Sequence, residues 1–318
     1  MRKVSSRRSF LAMAATVAVT AACSPEKPGA VSDDGSVTVK HIFGETKVPA
    51  PPKRVVSAGY TEQDDLLAVG VVPIAITTWF GDQPFGVWPW ALGRLGGAQP
   101  EVLDLANGIQ LERIGTLKPD LIVATNAGLD EDTYKRLSEI APTIAQSGQD
   151  AFFEPWKSQA AAVSQAVFKF DDMAGQVKSI EDKFIEIGKS NPQFAGRKAL
   201  LLEGALVDDA VHVVTPSWRS DFLTQMGFTL PDTGGTVITR DRMESVLHTA
   251  DVLIWTTEND DQQAVLLADP TIAALTATTA KRNLFTGKDL TGAIAFGSPL
   301  SYPVIADQLP PALAKVLG

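Results

Sequence analysis

The chain has 318 residues, 45% apolar and 20% charged, with 28 Lys+Arg against 37 Asp+Glu and a formal net charge of −9. This is a globular composition, which excludes a largely disordered or collagen-like chain, and its acidity argues against a nucleic-acid partner. One cysteine excludes an internal disulfide and any multi-cysteine zinc site, and three histidines make an all-protein metal site hard to build.

Residues 1–22 read as a signal peptide, with Arg2, Lys3, Arg7 and Arg8 ahead of the apolar run Leu11 to Ala22. That run is shorter than the ~20 residues that span a bilayer. Ser6-Arg7-Arg8-Ser9-Phe10-Leu11 resembles a twin-arginine export signal. Cys23 follows Thr20-Ala21-Ala22, which resembles a bacterial lipobox with Thr where Leu is usual. The expected fate of Cys23 is lipidation. The alternative is a buried core cysteine, but Cys23 sits between a leader and the Ser-, Pro-, Gly- and Asp-rich stretch Ser24 to Ser36, where no core exists. Residues 23–36 read as a flexible lipidated tether.

The mature chain then shows strands alternating with helices, the grammar of a parallel sheet covered on both faces. Arg54 to Ala58 is a strand, Glu62 to Val69 a helix ended by Gly70, and Val72 to Ile76 a second strand. Thr61 and Asp64 have the spacing of a capping box. Glu112 to Leu117 is a short helix stopped by Lys118-Pro119-Asp120, and Leu121 to Ala124 is a third strand. Pro155 to Phe168 is a helix. Asp171 is the expected N-cap of the next, in which Met173, Val177, Ile180, Phe184 and Ile187 form a regular apolar stripe to about Lys189. This helix is either a strut between two lobes or a core helix of one domain. The grammar then repeats: Lys198 to Leu202 and Val211 to Val214 are strands, Ser217 to Met226 is a helix stopped by Gly227, and Val252 to Trp255 is a strand.

The expected fold is therefore α/β, two small α/β lobes joined by a single long helix with a ligand cleft between them. Residues 37–158 form the N-terminal lobe, 159–192 the interlobe helical segment and 193–318 the C-terminal lobe. An internal echo supports the duplication. Glu112 precedes Asp120-Leu121-Ile122-Val123 by eight residues, and Glu244 precedes Asp251-Val252-Leu253-Ile254 by seven.

Ligands of open α/β sheets bind beyond the carboxyl ends of the strands. Tyr60 and Asn126 follow such ends. So does the loop Trp79 to Trp90, whose aromatics include Trp79, Phe80, Trp88 and Trp90. In the second half Trp218 and Arg219 follow a strand, and Phe296 and Tyr302 lie in a late loop. Aromatics are more often core than ligand contacts, but a run of Trp broken by Gly and Pro cannot form one helical or strand face. Arg219 is either a surface ion pair or a cleft cation for an anionic ligand. No Gly-x-Ser-x-Gly, Walker loop or His-Glu-x-x-His is present, so no catalytic residue is expected. His41, His212 and His248 read as structural, and no metal ligand is assigned.

At this point the chain resembles the substrate-binding lipoproteins of iron-siderophore and cobalamin ABC importers, the class with a rigid interlobe helix. The matching pieces are Pro51-Pro52-Lys53-Arg54-Val55-Val56, Asp65 to Ile74, Leu111-Glu112-Arg113-Ile114 with Leu117 to Ile122, Glu244 to Ile254, and Arg282-Asn283-Leu284-Phe285. The resemblance implies a non-enzymatic, monomeric protein on the outer face of the cytoplasmic membrane, in the periplasmic or cell-envelope space. It would have no cofactor of its own, bind a ferric siderophore or similar iron chelate, and deliver it to an ABC permease. Haem or cobalamin binding on the same fold, and a non-transport envelope lipoprotein, are the alternatives. Glutamates at the positions of Glu112 and Glu244 meet the permease in such proteins.

Overall fold

The computed structural model describes residues 28–318; the leader and Cys23 lie outside the described residues. The hairpin of β1 (Val37–His41) and β2 (Gly44–Val48) comes first. Five parallel strands follow: β3 (Val55–Ser57), β4 (Ala75–Thr77), β5 (Glu101–Leu103), β6 (Leu121–Ala124) and β7 (Thr143–Ala145), in the order β5-β4-β3-β6-β7. Their register sets Val56 beside Ile122 and Ala75. Successive residues of a strand point to opposite faces, and here both faces are covered. Val55, Leu121 and Val123 enter one core with Val37 and Val163, whereas Val56, Ile122 and Ala124 enter another with Ile114 and Leu137.

The second lobe repeats this on a smaller scale. β8 (Ala199–Glu203) is followed by the two-residue antiparallel pair β9 (Val211–His212) and β10 (Val237–Ile238), then by β11 (Val252–Thr256) and β12 (Asn283–Phe285). The parallel order is β12-β11-β8. Leu200, Leu202, Leu253 and Trp255 fill an outer core, and Ala199, Leu201, Val252 and Ile254 fill the other face.

That second face belongs to one apolar cluster that runs through both lobes. It takes Leu67, Ile76 and Ala91 from the first lobe and Ile305 and Leu309 from the C-terminal helix Tyr302–Leu317. The long helix Phe170–Ser190 lies along this cluster. Met173, Ile180 and Phe184 of its stripe are buried, and Val177 and Ile187 pack half-buried beside them. It touches the helix Trp156–Ala166 on one side and Asp221–Gln225 on the other. At Gly188 an added Cβ would lie 2.8 Å from the Met226 carbonyl oxygen, so glycine permits the close approach. The helix is thus strut and core element together.

The internal echo acquires a physical meaning. Asp120, just ahead of β6, accepts the backbone N–H groups of Lys53 and Arg54 at the start of β3, both at 2.8 Å. Asp251, just ahead of β11, accepts the N–H of Lys198 at the start of β8 at 2.9 Å. In each lobe the repeated aspartate ties the start of one strand to its parallel neighbour.

Three local expectations are corrected. Thr61 caps the helix Glu62–Ala68 in position only; its hydroxyl bonds Gln159 and Asn126 instead, and no capping box forms. Lys169, not Asp171, precedes the long helix, and Asp171 sits in its first turn, where a negative charge suits the helix dipole. The stretch Ser217 to Met226 divides into a 3-10 turn (Ser217–Ser220) and a short helix (Asp221–Gln225).

Candidate functional site

Glu203 and Thr256 end the neighbouring strands β8 and β11. Beyond these carboxyl ends lies a cavity of about 330 Å³, lined among others by Arg219, Glu203, Glu258, Gln262 and Thr291 of the second half. Trp79 of the first lobe also lines it, so the cavity lies between the lobes, where the topology of parallel sheets places ligands. Another cavity, about 290 Å³, lies within the second lobe and has no charged residue in its lining.

An aromatic wall flanks the interlobe cavity. Tyr60 stacks on Trp79 with centroids 5.6 Å apart, and on Phe152 at 5.7 Å. Phe80 meets Trp79 edge-on at 4.6 Å, and Phe153 lies 4.9 Å from Trp79. Trp218 reaches across from the second lobe and donates its indole N–H to the Phe153 carbonyl at 3.1 Å.

Arg219 sits against this wall, 6% exposed. Its guanidinium carbon lies 4.5 Å from the Phe153 centroid, 5.3 Å from Trp218 and 5.9 Å from Trp79. One terminal nitrogen donates to the Thr215 carbonyl, while Nε and Nη2 have no partner. Burial pushes its pKa down to about 10, so it stays charged at neutral pH. Of the two readings open for Arg219, the surface ion pair is set aside: it is buried and no carboxylate pairs with it among the described residues. Cation–π contacts of about 0.5–2 kcal/mol each offset only part of the cost of burying a charge.

The structure places the other expected residues differently. Trp88 is 1% exposed and stacks on Trp90 at 5.0 Å, with Gly292 packed so closely that a Cβ there would sit 2.4 Å from the indole. Trp90 donates its indole N–H to Asp64 at 2.8 Å. Phe296 and Tyr302 are each 3% exposed, Phe296 behind Trp79 and Tyr302 against Trp156. Trp88, Phe296 and Tyr302 belong to the buried core, with Trp90 half-buried against it, and none of the four lines the 330 Å³ cavity. Asn126 is fully buried: its amide donates to Thr61 at 2.9 Å and its carbonyl accepts from the Phe153 N–H at 2.8 Å. It positions Phe153 and does not face the cavity.

Two groups escape the sequence reading. Phe152 and Phe153 belong to the aromatic wall; they follow β7, a three-residue strand with no periodic pattern in its residues to mark it. The second group is the buried acid cluster Glu62, Asp64 and Asp65, each at most 1% exposed. Glu62 accepts from the Asn126 N–H at 2.7 Å, Asp64 from Trp90 and from Ser298, and Asp65 from Gln159 at 2.6 Å. Burial raises Glu62 to about 7 and Asp64 to about 6, and raises Asp65 well above the carboxylate range. A signal existed: Glu62-Gln63-Asp64-Asp65 covers a full turn at 3.6 residues per turn, so at least one of them must face the sheet.

Glu112 and Glu244 are both exposed. Glu112 lies in the first turn of the helix Leu111–Thr116, but Glu244 is past the first turn of Arg240–Leu247. Dipole stabilisation at a helix start therefore accounts for the first and not the second.

Two α/β lobes, a helix that spans them and a cleft walled by both define a bilobal binding protein. The chain belongs to the periplasmic binding protein family, whose model matches residues 55–290. A solved periplasmic solute binding protein from Mycobacterium smegmatis is 64% identical, with a TM-score of 0.88, over 90% of this chain and 100% of that one. YhfQ of Bacillus subtilis, named as an ABC transporter substrate-binding lipoprotein, is 29% identical over 210 residues, 66% of this chain and 63% of YhfQ. The iron(3+)-hydroxamate-binding protein YxeB of the same organism is 31% identical over 174 residues, 52% of this chain and 47% of YxeB. The match thus spans less than two thirds of either Bacillus protein.

Proposed function

We propose that this protein is a membrane-anchored substrate-binding protein that captures a ferric siderophore or similar iron chelate in the interlobe cleft and delivers it unchanged to an ABC importer. The observation that carries the reading is Arg219: a buried guanidinium with two unpartnered nitrogens, set against an aromatic wall in a cavity between two lobes. Such a site holds a bulky ligand by flat apolar contact and fixes it through acidic oxygens. The name of YxeB supports the same class of ligand, and that of YhfQ the delivery to an ABC transporter. The test is native mass spectrometry with ferric hydroxamates, ferric catecholates, ferric citrate, haem and cobalamin. At least one ferric chelate is expected to form a one-to-one complex. Retention of haem or cobalamin alone removes the iron-chelate reading.

In this reading Cys23 carries the lipid, and Cys23→Ala releases the protein from washed membranes; continued pelleting removes the anchor. Glu112 and Glu244, one carboxylate per lobe, meet cationic groups on the permease. Two separated charge pairs set the register of docking and speed encounter more than they add affinity. The double variant Glu112→Arg/Glu244→Arg is expected to bind its chelate in solution like the parent while cellular uptake falls to background. Normal uptake by that variant removes the docking role.

A further inference from the structure

Three charged side chains share the interlobe cavity: Arg219, Glu203 and Glu258. Their partners within the protein are incomplete in complementary ways. Arg219 has two nitrogens without acceptors. Among the described residues, Glu203 and Glu258 form no ion pair; the second-lobe carboxylates that do form one are Asp209, Asp251, Asp269 and Asp307. Arg240 holds both Asp209 and Asp269, and Asp251 has Arg197 and Arg282 within 4 Å. The two carboxylates that line the cavity thus have no cation among the described residues as a partner. Glu203 is fixed in place as the last residue of β8, in register with Thr256 of β11. Glu258 is held at its backbone, where its N–H donates to the Gln262 side chain at 2.6 Å.

We infer that the cleft selects a chelate with acidic oxygens at one part of its surface and a pendant cation at another, with Arg219 receiving the first and Glu203 and Glu258 the second. The inference rests on the iron-chelate reading above and narrows it. A trianionic tris-catecholate complex would gain one guanidinium and meet two carboxylates. Like charges placed together in a cleft of reduced dielectric oppose binding, which makes the pair a filter against such ligands. A hydroxamate complex, neutral at the iron and carrying a free ammonium, satisfies all three side chains. The acidic balance of the whole chain, −9 before removal of a leader whose charged residues are all basic, attracts such a ligand as well.

Titration of the whole protein by tryptophan fluorescence tests this with three probes: a ferric linear trishydroxamate with a terminal primary ammonium, its N-acetylated derivative, and a ferric tris-catecholate. The acetyl group removes the charge and leaves the iron coordination intact. The ammonium form is expected to bind about tenfold more tightly than the acetylated form, the worth of one charge-assisted contact in a partly wet site. The catecholate should bind more weakly than either. In Glu203→Gln/Glu258→Gln the preference should vanish, through loss of about tenfold on the ammonium form with the acetylated form held within about twofold. Equal binding of the two hydroxamates by the parent protein overturns the inference without any variant. So does a double variant that keeps the preference, or a catecholate that binds most tightly. Binding of all three without discrimination removes this inference alone, whereas failure of every ferric chelate removes the proposed function and the inference with it.

Discussion

Arg219→Met is expected to make the protein more stable and to remove most of its ligand binding. The guanidinium is 6% exposed, has no anionic partner among the described residues, and satisfies only one of its donor nitrogens. A buried charge in that condition opposes folding, and replacement by an apolar side chain of similar length is stabilising by about 1–3 kcal/mol. The lost bond to the Thr215 carbonyl takes back about 1 kcal/mol. Against the ligand the balance reverses. A guanidinium already stripped of water and fixed against Phe153 and Trp218 binds an acidic oxygen with little further cost, and its loss should weaken binding about 100-fold, or roughly 3 kcal/mol. Urea unfolding and chelate titration on one preparation measure both effects. A variant that is less stable and binds like the parent would assign Arg219 a structural role and remove it from the site.

Stability is also expected to fall as pH rises from mildly acidic to neutral, opposite to the behaviour of a protein held by ion-paired carboxylates. The cause is the buried acid cluster at the start of the helix Glu62–Ala68. A carboxyl whose folded pKa lies above its unfolded value binds its proton more tightly when folded. Its contribution to stability is full below the unfolded pKa and is lost as pH rises through the folded one. For Glu62 that window runs from 4.5 to about 7, and for Asp64 from 3.8 to about 6. The Glu62 rise alone corresponds to about 3 kcal/mol. Glu62, Asp64 and Glu154 also repel a charge on Asp65, so ionisation of one raises the cost for the others. Urea midpoints at about pH 5 and about pH 8 give the slope directly. In Asp65→Asn the retained carbonyl still accepts from Gln159, one acid leaves the cluster, and the slope should flatten. Stability that is level or rises across this range would mean that these carboxyls ionise without penalty.

The helix Glu62–Ala68 illustrates where reading a sequence stops. Its position was legible, bounded by a short apolar strand and by Gly70 in a left-handed turn with φ of +78°. Its burial was not. Glu62-Gln63-Asp64-Asp65 looks like a solvated first turn, and an acidic start suits a helix dipole. All four are buried because the helix is enclosed by residues remote in the chain: Asn126, Gln159 and Ser298. Its expected cap failed for the same reason, since the Thr61 hydroxyl found Gln159, 98 residues away, in place of a local N–H.

The aromatic loop divides along the same line. Its richness in Trp and its place after β4 were visible in the residues. Which rings would line a cavity and which would fill a core was not. Trp79 lines the cavity, while Trp88, nine residues on, is 1% exposed because α-carbon-only Gly292 of the other half leaves room for its ring.

By itself the amino-acid sequence determined the kind and order of the main elements, the duplicated lobes and the apolar stripe of the long helix. These depend on periodicity and on glycine and proline stops, which act over a few residues. The tertiary structure alone decided that Arg219 is buried with no anionic partner among the described residues, that Asn126 is buried and holds the Phe153 backbone, that Trp88, Phe296 and Tyr302 are core, and that three acids of one helix turn are buried. Each depends on desolvation, and desolvation is set by which distant surfaces meet: the bond from Ser298 to Asp64 spans 234 residues of chain, and no local pattern encodes it.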